Sequence, residues 1–213
     1  MADPAAHTPG AAPAPDARER EVRAALARSS VAIVGCGGLG SNAAAMLLRS
    51  GVRALTLIDS DVVEPSNLNR QLYFSDQIGM PKTDALASTL RRIDDGVRLT
   101  LIRQRMTAEN LVGCVSGTDV IIEAVDDAET KAMIVGVCTR DLPDVPLVTA
   151  SGLAGDGPAN LITTERLADN VLVCGDMVSD VRVTPTLLAS RVMVAAAHEA
   201  NAAIRILLGE PEP

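Results

Sequence analysis

A doubly wound, Rossmann-like α/β fold with a mostly parallel sheet is predicted by three features of this 213-residue chain. Short apolar runs alternate with helix-length stretches from about residue 30 onward, the rhythm of strand, crossover helix and parallel strand. The first such run ends in a glycine-rich turn, VAIVGCGGLGS over 31–41. The second ends in Asp59, about 20 residues beyond the turn, the spacing from which a carboxylate holds a ribose hydroxyl.

Each element follows in order. A helix is expected over 16–28. Strands are read at 31–35, 54–58, 98–102, 120–124 and 147–149, with helices at 39–49, 81–93, 108–115 and 128–140 between them. Pro81 suits the first turn of its helix, where a missing N–H is no loss. After SGLAGDGP (151–158) two shorter apolar pieces, 159–163 and 170–173, read as antiparallel strands extending the sheet edge. An Ala-rich helix from about 185 to 208 stops before Gly209. Residues 1–17 are rich in Ala and Pro, lack the basic and apolar regions of a secretory signal, and read as a disordered tail. Residues 18–213 are then one domain, a length that suits a single core.

Composition narrows the function. The chain is 47% hydrophobic but 1% aromatic, so its core must be aliphatic. A net charge of −8 argues against nucleic-acid and anionic-membrane partners, which gain nothing from a like-charged protein. No apolar run approaches the ~20 residues of a membrane helix, and a cytoplasmic location is expected. Cys36, Cys114, Cys138 and Cys174 form no CxxC, so neither a zinc ribbon nor a redox pair is available and no structural zinc is expected.

The glycine turn is the candidate ligand site. Gly35, Gly37 and Gly40 let backbone N–H groups approach a phosphate. Alone, this fingerprint suits NAD, FAD or S-adenosylmethionine equally. Asn67, Asn69, Arg70 and Gln71 then crowd beyond the acidic strand end, and Lys82 follows. Donors placed there meet a terminal polyphosphate, which needs charge-assisted partners, and they favour ATP over NAD.

The blocks GCGGLGSNAA, LIDSDVVEPSNLNRQLYF, QIGMPKTDAL, VIIEAVDDAETKAM, TASGLAG, CGD and HEANAAIRILLG together resemble the ThiF/MoeB family of sulfur-carrier adenylyltransferases, relatives of ubiquitin-activating enzymes. The likeness is closest to the short ThiF branch. It implies that Gly35, Gly37, Gly38 and Gly40 form the nucleotide loop, that Asp59 binds ribose with Asp61 beside it, and that Asn67, Arg70, Gln71 and Lys82 meet phosphates. Asp126 matches the aspartate that holds magnesium, and an oxygen ligand suits that hard ion.

The reaction implied is attack by the C-terminal Gly-Gly carboxylate of a ThiS-like ubiquitin-fold carrier on the α-phosphorus of ATP, releasing pyrophosphate, in thiamine thiazole synthesis. The same chemistry on a carrier for molybdopterin, cysteine or a secondary metabolite is one alternative. A non-catalytic module that binds nucleotide or carrier is another. Catalysis would come from charge neutralisation by Arg70, Lys82 and magnesium on Asp126 rather than from a base; neither His7 nor His198 is assigned a catalytic role. Cys174, in CGD, matches by position alone a family cysteine that carries sulfur or a covalent carrier link; a structural strand-end cysteine is the alternative reading. The resemblance also implies a homodimer. No RYxRQ-like segment precedes the first strand, so Arg18, Arg20 and Arg23 are the upstream candidates for an arginine reaching a partner's ATP.

Overall fold

Asp16 caps the first helix of the computed structural model, which describes residues 16–210 and 212: its side chain accepts the Glu19 N–H at 2.7 Å and α1 runs over Ala17–Arg28. The expected tail therefore lies outside the described residues except for these last two positions. The remaining elements are β1 (Ser30–Val34), α2 (Gly38–Ser50), β2 (Ala54–Ile58), α3 (Lys82–Arg91), β3 (Arg98–Ile102), α4 (Leu111–Cys114), β4 (Val120–Glu123), α5 (Ala128–Asp141), β5 (Leu147–Ala150), β6 (Thr163–Ala168), β7 (Val171–Gly175) and α6 (Ala189–Leu207).

The strands form one seven-stranded sheet in the order β3-β2-β1-β4-β5-β7-β6. Every neighbouring pair is parallel except β6–β7. Between β1 and β4 the winding reverses, and in open α/β sheets such a switch point leaves a crevice at the carboxyl ends of the strands. The inner strands are apolar on both faces because helices cover both. Leu55, Leu57, Ile33 and Ile122 pack toward α2, α3 and α6, while Ile121, Val34 and Leu147 pack toward α4 and α5. Burying each such side chain contributes roughly 1.5–3 kcal/mol.

With almost no aromatic bulk, the helices approach through small residues. Ala43 and Ala44 of α2 and Ala195, Ala196 and Ala203 of α6 are fully buried in the same cluster. The Ala-rich face of α6 is thus used inside the chain. Gly51 ends α2 in the left-handed conformation (φ 115°), its N–H bonded to the Leu47 and Leu48 carbonyls, as a glycine C-cap does.

Five readings differ from expectation. Residues 159–161 form a 3-10 turn, not a strand, and the edge strand is β6; its sequence TTERLA is largely exposed, so it carries no apolar signal. The piece at 170–173 falls in β7, which is parallel to β5 and antiparallel only to β6. Pro81 is the N-cap of α3 rather than a first-turn residue. Finally, α6 begins at Ala189 because the preceding residues stay extended, with Leu187 bridged to Gly155. The expected helix at 108–115 shrinks to the single turn of α4. Among the described residues no helix is long and apolar enough to cross a membrane.

Candidate active site

A cavity of about 370 Å³ opens at the switch point, lined by the ends of β1 (Val34), β2 (Ile58) and β4 (Ala124) and the loops that follow them. Its size falls within the range of small-molecule sites. Gly35, Gly37, Gly38, Asp59, Asp61, Arg70, Gln71, Lys82 and Asp126 all line it.

Steric need explains Gly35 and Gly40. Gly35 has φ 96°, and a Cβ there would lie 2.7 Å from the Ala124 carbonyl. At Gly40 an added Cβ would sit 1.9 Å from the Gly35 carbonyl oxygen; this residue stands behind the turn and lets α2 pack against it, without itself lining the cavity. Asp59 fastens the turn from the side: its Oδ2 accepts the Cys36 N–H at 2.7 Å and its Oδ1 the Asp61 N–H at 2.8 Å. Each carboxylate oxygen retains acceptor capacity for a further donor.

The segment beyond β2 is stitched to the turn by side chains that the sequence reading did not single out. The Ser41 hydroxyl donates to the Gly37 carbonyl (2.6 Å) and accepts the Leu72 N–H (3.0 Å). Asn42 Nδ2 bridges the Gly38 and Arg70 carbonyls at 2.6 and 3.0 Å. The Tyr73 hydroxyl, buried, donates to the Cys36 carbonyl at 2.7 Å. A serine and an asparagine in the first turn of an otherwise apolar helix were the available signal.

Arg70 is oriented by these ties. Its Nη1 donates to the Ser66 carbonyl (3.2 Å) and to Asn69 Oδ1 (2.9 Å), and its stem lies against Gly38. Gln71 is buried across Gly37, and its Oε1 has no hydrogen-bond partner among the described residues. A buried orphan acceptor facing a cavity marks a place for a donor. Asn67, by contrast, turns its Oδ1 to the Glu64 N–H at 3.0 Å and shapes the 3-10 turn at Pro65–Asn67; it does not line the cavity.

Lys82, buried at the start of α3, gives its Nζ to Asp61 Oδ2 at 2.9 Å. Burial alone would lower its pKa. The bond to Asp61 and the charges of Asp59, Asp61 and Asp126 outweigh that and hold it above the ordinary lysine value, so it is a cation at neutral pH. Asp126 is exposed on the loop after β4. Its neighbour Asp127 is the cap of α5, accepting the Thr130 N–H at 2.8 Å. Beneath them Glu123 is fully buried, its Oε1 taking the Val125 N–H at 2.8 Å and its Oε2 the Lys131 ammonium and the Thr149 hydroxyl, both at 2.5 Å. The Val125 bond sets the path of the loop that carries Asp126.

Gln104, Arg105 and Met106 after β3, and Leu153, Leu187 and Val192, also line the cavity; nothing in their sequence context distinguished them. Cys174 is not brought into the cavity. It is fully buried in β7, 3.6 Å from Thr164 Oγ1, and burial, with Glu199 nearby, pushes its thiol up to about 12. In this position it is a core residue that holds its proton. His198 Nδ1 lies 2.9 Å from Thr164 Oγ1, whereas His7 lies outside the described residues. Arg18 and Arg23 make exposed pairs with Glu210 and Glu19 within the chain.

This arrangement can clamp an anionic ligand between a glycine turn and two cations. Comparison with known proteins accords with it: the ThiF family model matches residues 13–213. The tRNA threonylcarbamoyladenosine dehydratase of Escherichia coli is 35% identical over 68% of this chain and 54% of its own length. The E. coli sulfur carrier protein ThiS adenylyltransferase is 36% identical over 65% of this chain and 55% of its own. The chain thus spans about half the length of these curated relatives. The solved structure of the E. coli dehydratase in complex with ATP superposes with a TM-score of 0.80 at 25% identity, covering 89% of this chain and 90% of that one.

Proposed function

Because the chain belongs to the ThiF family, we propose that it uses ATP to adenylate the C-terminal carboxylate of a small ubiquitin-fold carrier, releasing pyrophosphate. The observation that carries this reading is the convergence of Arg70, Lys82 and Asp126 with the glycine turn on one cavity. A carboxylate is a weak nucleophile approaching an anionic phosphate, so the enzyme must align the two and neutralise charge. The turn would take the phosphates on its N–H groups while Asp59 takes ribose hydroxyls. Arg70, already aimed by Ser66 and Asn69, and Lys82, exchanging Asp61 for a phosphate oxygen, would hold the charge that develops on pyrophosphate. The ATP bound by the solved dehydratase supports the choice of nucleotide.

Magnesium fits Asp126 in chemical type. In nucleotide sites this ion uses one or two carboxylates and completes its shell with phosphates and water. One exposed carboxylate suits that better than an all-protein cage, and among the described residues no group of three or more His, Cys, Asp or Glu is placed to hold a metal. The ion would supply further charge neutralisation at the phosphates.

Thiazole synthesis is the pathway we favour, supported by the likeness to the ThiS adenylyltransferase. The likeness to the tRNA dehydratase favours a second reading, in which the acceptor is a modified tRNA nucleoside. Exchange of pyrophosphate into ATP tests both. Exchange that requires a carrier with a free Gly-Gly end supports the first, and exchange that requires tRNA supports the second. A homodimer is part of the proposal, supported by Val62, Phe74, Ile78 and Met80, which stay exposed on the segment between β2 and α3. Sedimentation equilibrium at twice the monomer mass is the expected result.

A further inference from the structure

Beside the crevice, two loops and the start of α6 meet at one buried ion pair. Arg191, 4% exposed, donates through Nη1 to the carbonyls of Gly157 (2.7 Å) and Pro158 (3.0 Å), and through Nη2 to Asp176 and to Ser179 Oγ (3.5 Å). Asp176 Oδ1 accepts the N–H groups of Val178 (2.9 Å) and Ser179 (2.7 Å), and Oδ2 also takes the Ser179 hydroxyl. Burial opposes ionisation of Asp176, but these bonds and the Arg191 charge outweigh it and hold the carboxyl below its ordinary range. A single guanidinium therefore joins residues 157–158, residues 176–179 and its own helix.

Each joined segment contributes one apolar residue to the cavity wall: Leu153 from the first loop, Leu187 from the second and Val192 from α6. The loops touch again where the Gly155 N–H meets the Thr186 carbonyl at 2.8 Å. Both depend on glycine conformations, with φ 80° at Gly152 and Gly155 and 145° at Gly175, where an added Cβ would lie 1.6 Å from the Ser151 oxygen. Met177 adopts φ 59°, a left-handed conformation that persists only where the surroundings enforce it. Its N–H donates to the Ser151 carbonyl at 3.3 Å, and the polar node fixes Asp176 before it and the N–H groups of Val178 and Ser179 after it.

This wall offers no charge to a phosphate. Val192 nonetheless sits directly beside the phosphate-facing residues, since a Cβ on Gly38 would meet Val192 at 2.9 Å and the Arg70 stem at 3.5 Å. We propose that Asp176 and Arg191 are positioning residues for the acceptor: they hold Leu153, Leu187 and Val192 as the surface along which the acceptor's chain end lies, so that acceptor binding depends on them and ATP binding does not. The proposal rests on the adenylation reading and adds to it the elements that seat the second substrate.

The test is ATP–pyrophosphate exchange by the full chain and its Asp176→Asn, Arg191→Lys and Leu187→Ala variants. The probe is whichever ubiquitin-fold carrier, among those for thiazole, molybdopterin and cysteine synthesis, supports the fastest exchange. Expected is a tenfold or larger rise in KM for the carrier with KM for ATP within twofold of wild type, the lysine variant least affected because it keeps the charge and loses the fork. Amide hydrogen exchange over 177–188 should quicken in Asp176→Asn while the sheet stays protected. Leu187→Ala removes a half-buried side chain without breaking the pair, and it decides the matter if the pair variants do not fold. An unchanged carrier KM, or carrier and ATP KM rising together, overturns the proposal alone. No exchange by the wild-type protein with any of these carriers removes the adenylation reading and the proposal with it.

Discussion

Gly40 bears the tightest steric constraint in the glycine turn although it does not line the cavity. Its Cβ would fall 1.9 Å from the Gly35 oxygen and 2.9 Å from Ile33, and neither neighbour can yield without moving β1 or the turn. Gly40→Ala is expected to cost more than about 3 kcal/mol, at the upper end of overpacking effects, and to be seen as a fall in urea midpoint or loss of soluble protein. Tyr73→Phe is the milder counterpart. It deletes the hydroxyl's bond to the Cys36 carbonyl and its longer one to the Lys82 carbonyl, together worth about 1 kcal/mol, and urea denaturation should register that loss with little change in slope. The glycines, Asp59, Arg70 and Lys82 were legible in the sequence because backbone approach and phosphate charge restrict residue type at fixed spacings. Asn67, expected to meet phosphate, does not line the cavity, and its Oδ1 accepts the Glu64 N–H, a local turn bond that spacing alone does not reveal. Tyr73 and Asn42 act through carbonyls distant in sequence, so no local pattern announced them.

The long helix α6 carries the second kind of information the sequence hid. Glu199, on its sheet-facing side, is fully buried and neither carboxylate oxygen has a partner among the described residues. Burial pushes this carboxyl well above the ordinary carboxylate range; the Lys131 charge pulls the other way, and that of Glu123 adds to the rise. The unfolded chain releases this proton near pH ~4.3, whereas the folded protein keeps it to higher pH. Over that window the folded state binds more protons, so stability is greatest below the unfolded pKa and falls as pH rises toward the folded one. Glu199→Gln should flatten this part of the pH profile in urea titrations from pH 5 to 8. Glu199→Met, which removes both orphan oxygens, should raise stability by roughly 1–3 kcal/mol; an unchanged profile in both variants would contradict the assignment. Helix and strand order was readable because apolar runs report burial on both faces. The edge strand β6 escaped because an exposed strand needs no such run, and α6 was read four residues too long because the Leu187 bridge to Gly155 is a tertiary contact.

At the scale of the molecule, the sheet order places the glycine turn, Asp59 and Asp126 on three strand ends around one switch point, and the loop stitched by Ser41, Asn42 and Tyr73 adds both Arg70 and the approach to Lys82. Arg70 and Lys82 thereby line the crevice together with Arg105, among the carboxylates of Asp59, Asp61, Asp126 and Asp127, in a chain whose net charge is −8. ATP and a carboxylate acceptor are the substrates proposed for this arrangement. Isotope exchange between pyrophosphate and ATP, measured with and without a ubiquitin-fold carrier ending in a free Gly-Gly, tests that claim directly. The wild-type protein should exchange only with carrier present, and Arg70→Ala should lose a hundredfold or more of the rate, the scale of removing one charge-stabilising donor, while keeping its thermal midpoint. Carrier-independent exchange, absence of exchange with every such carrier, or full activity in Arg70→Ala would contradict it.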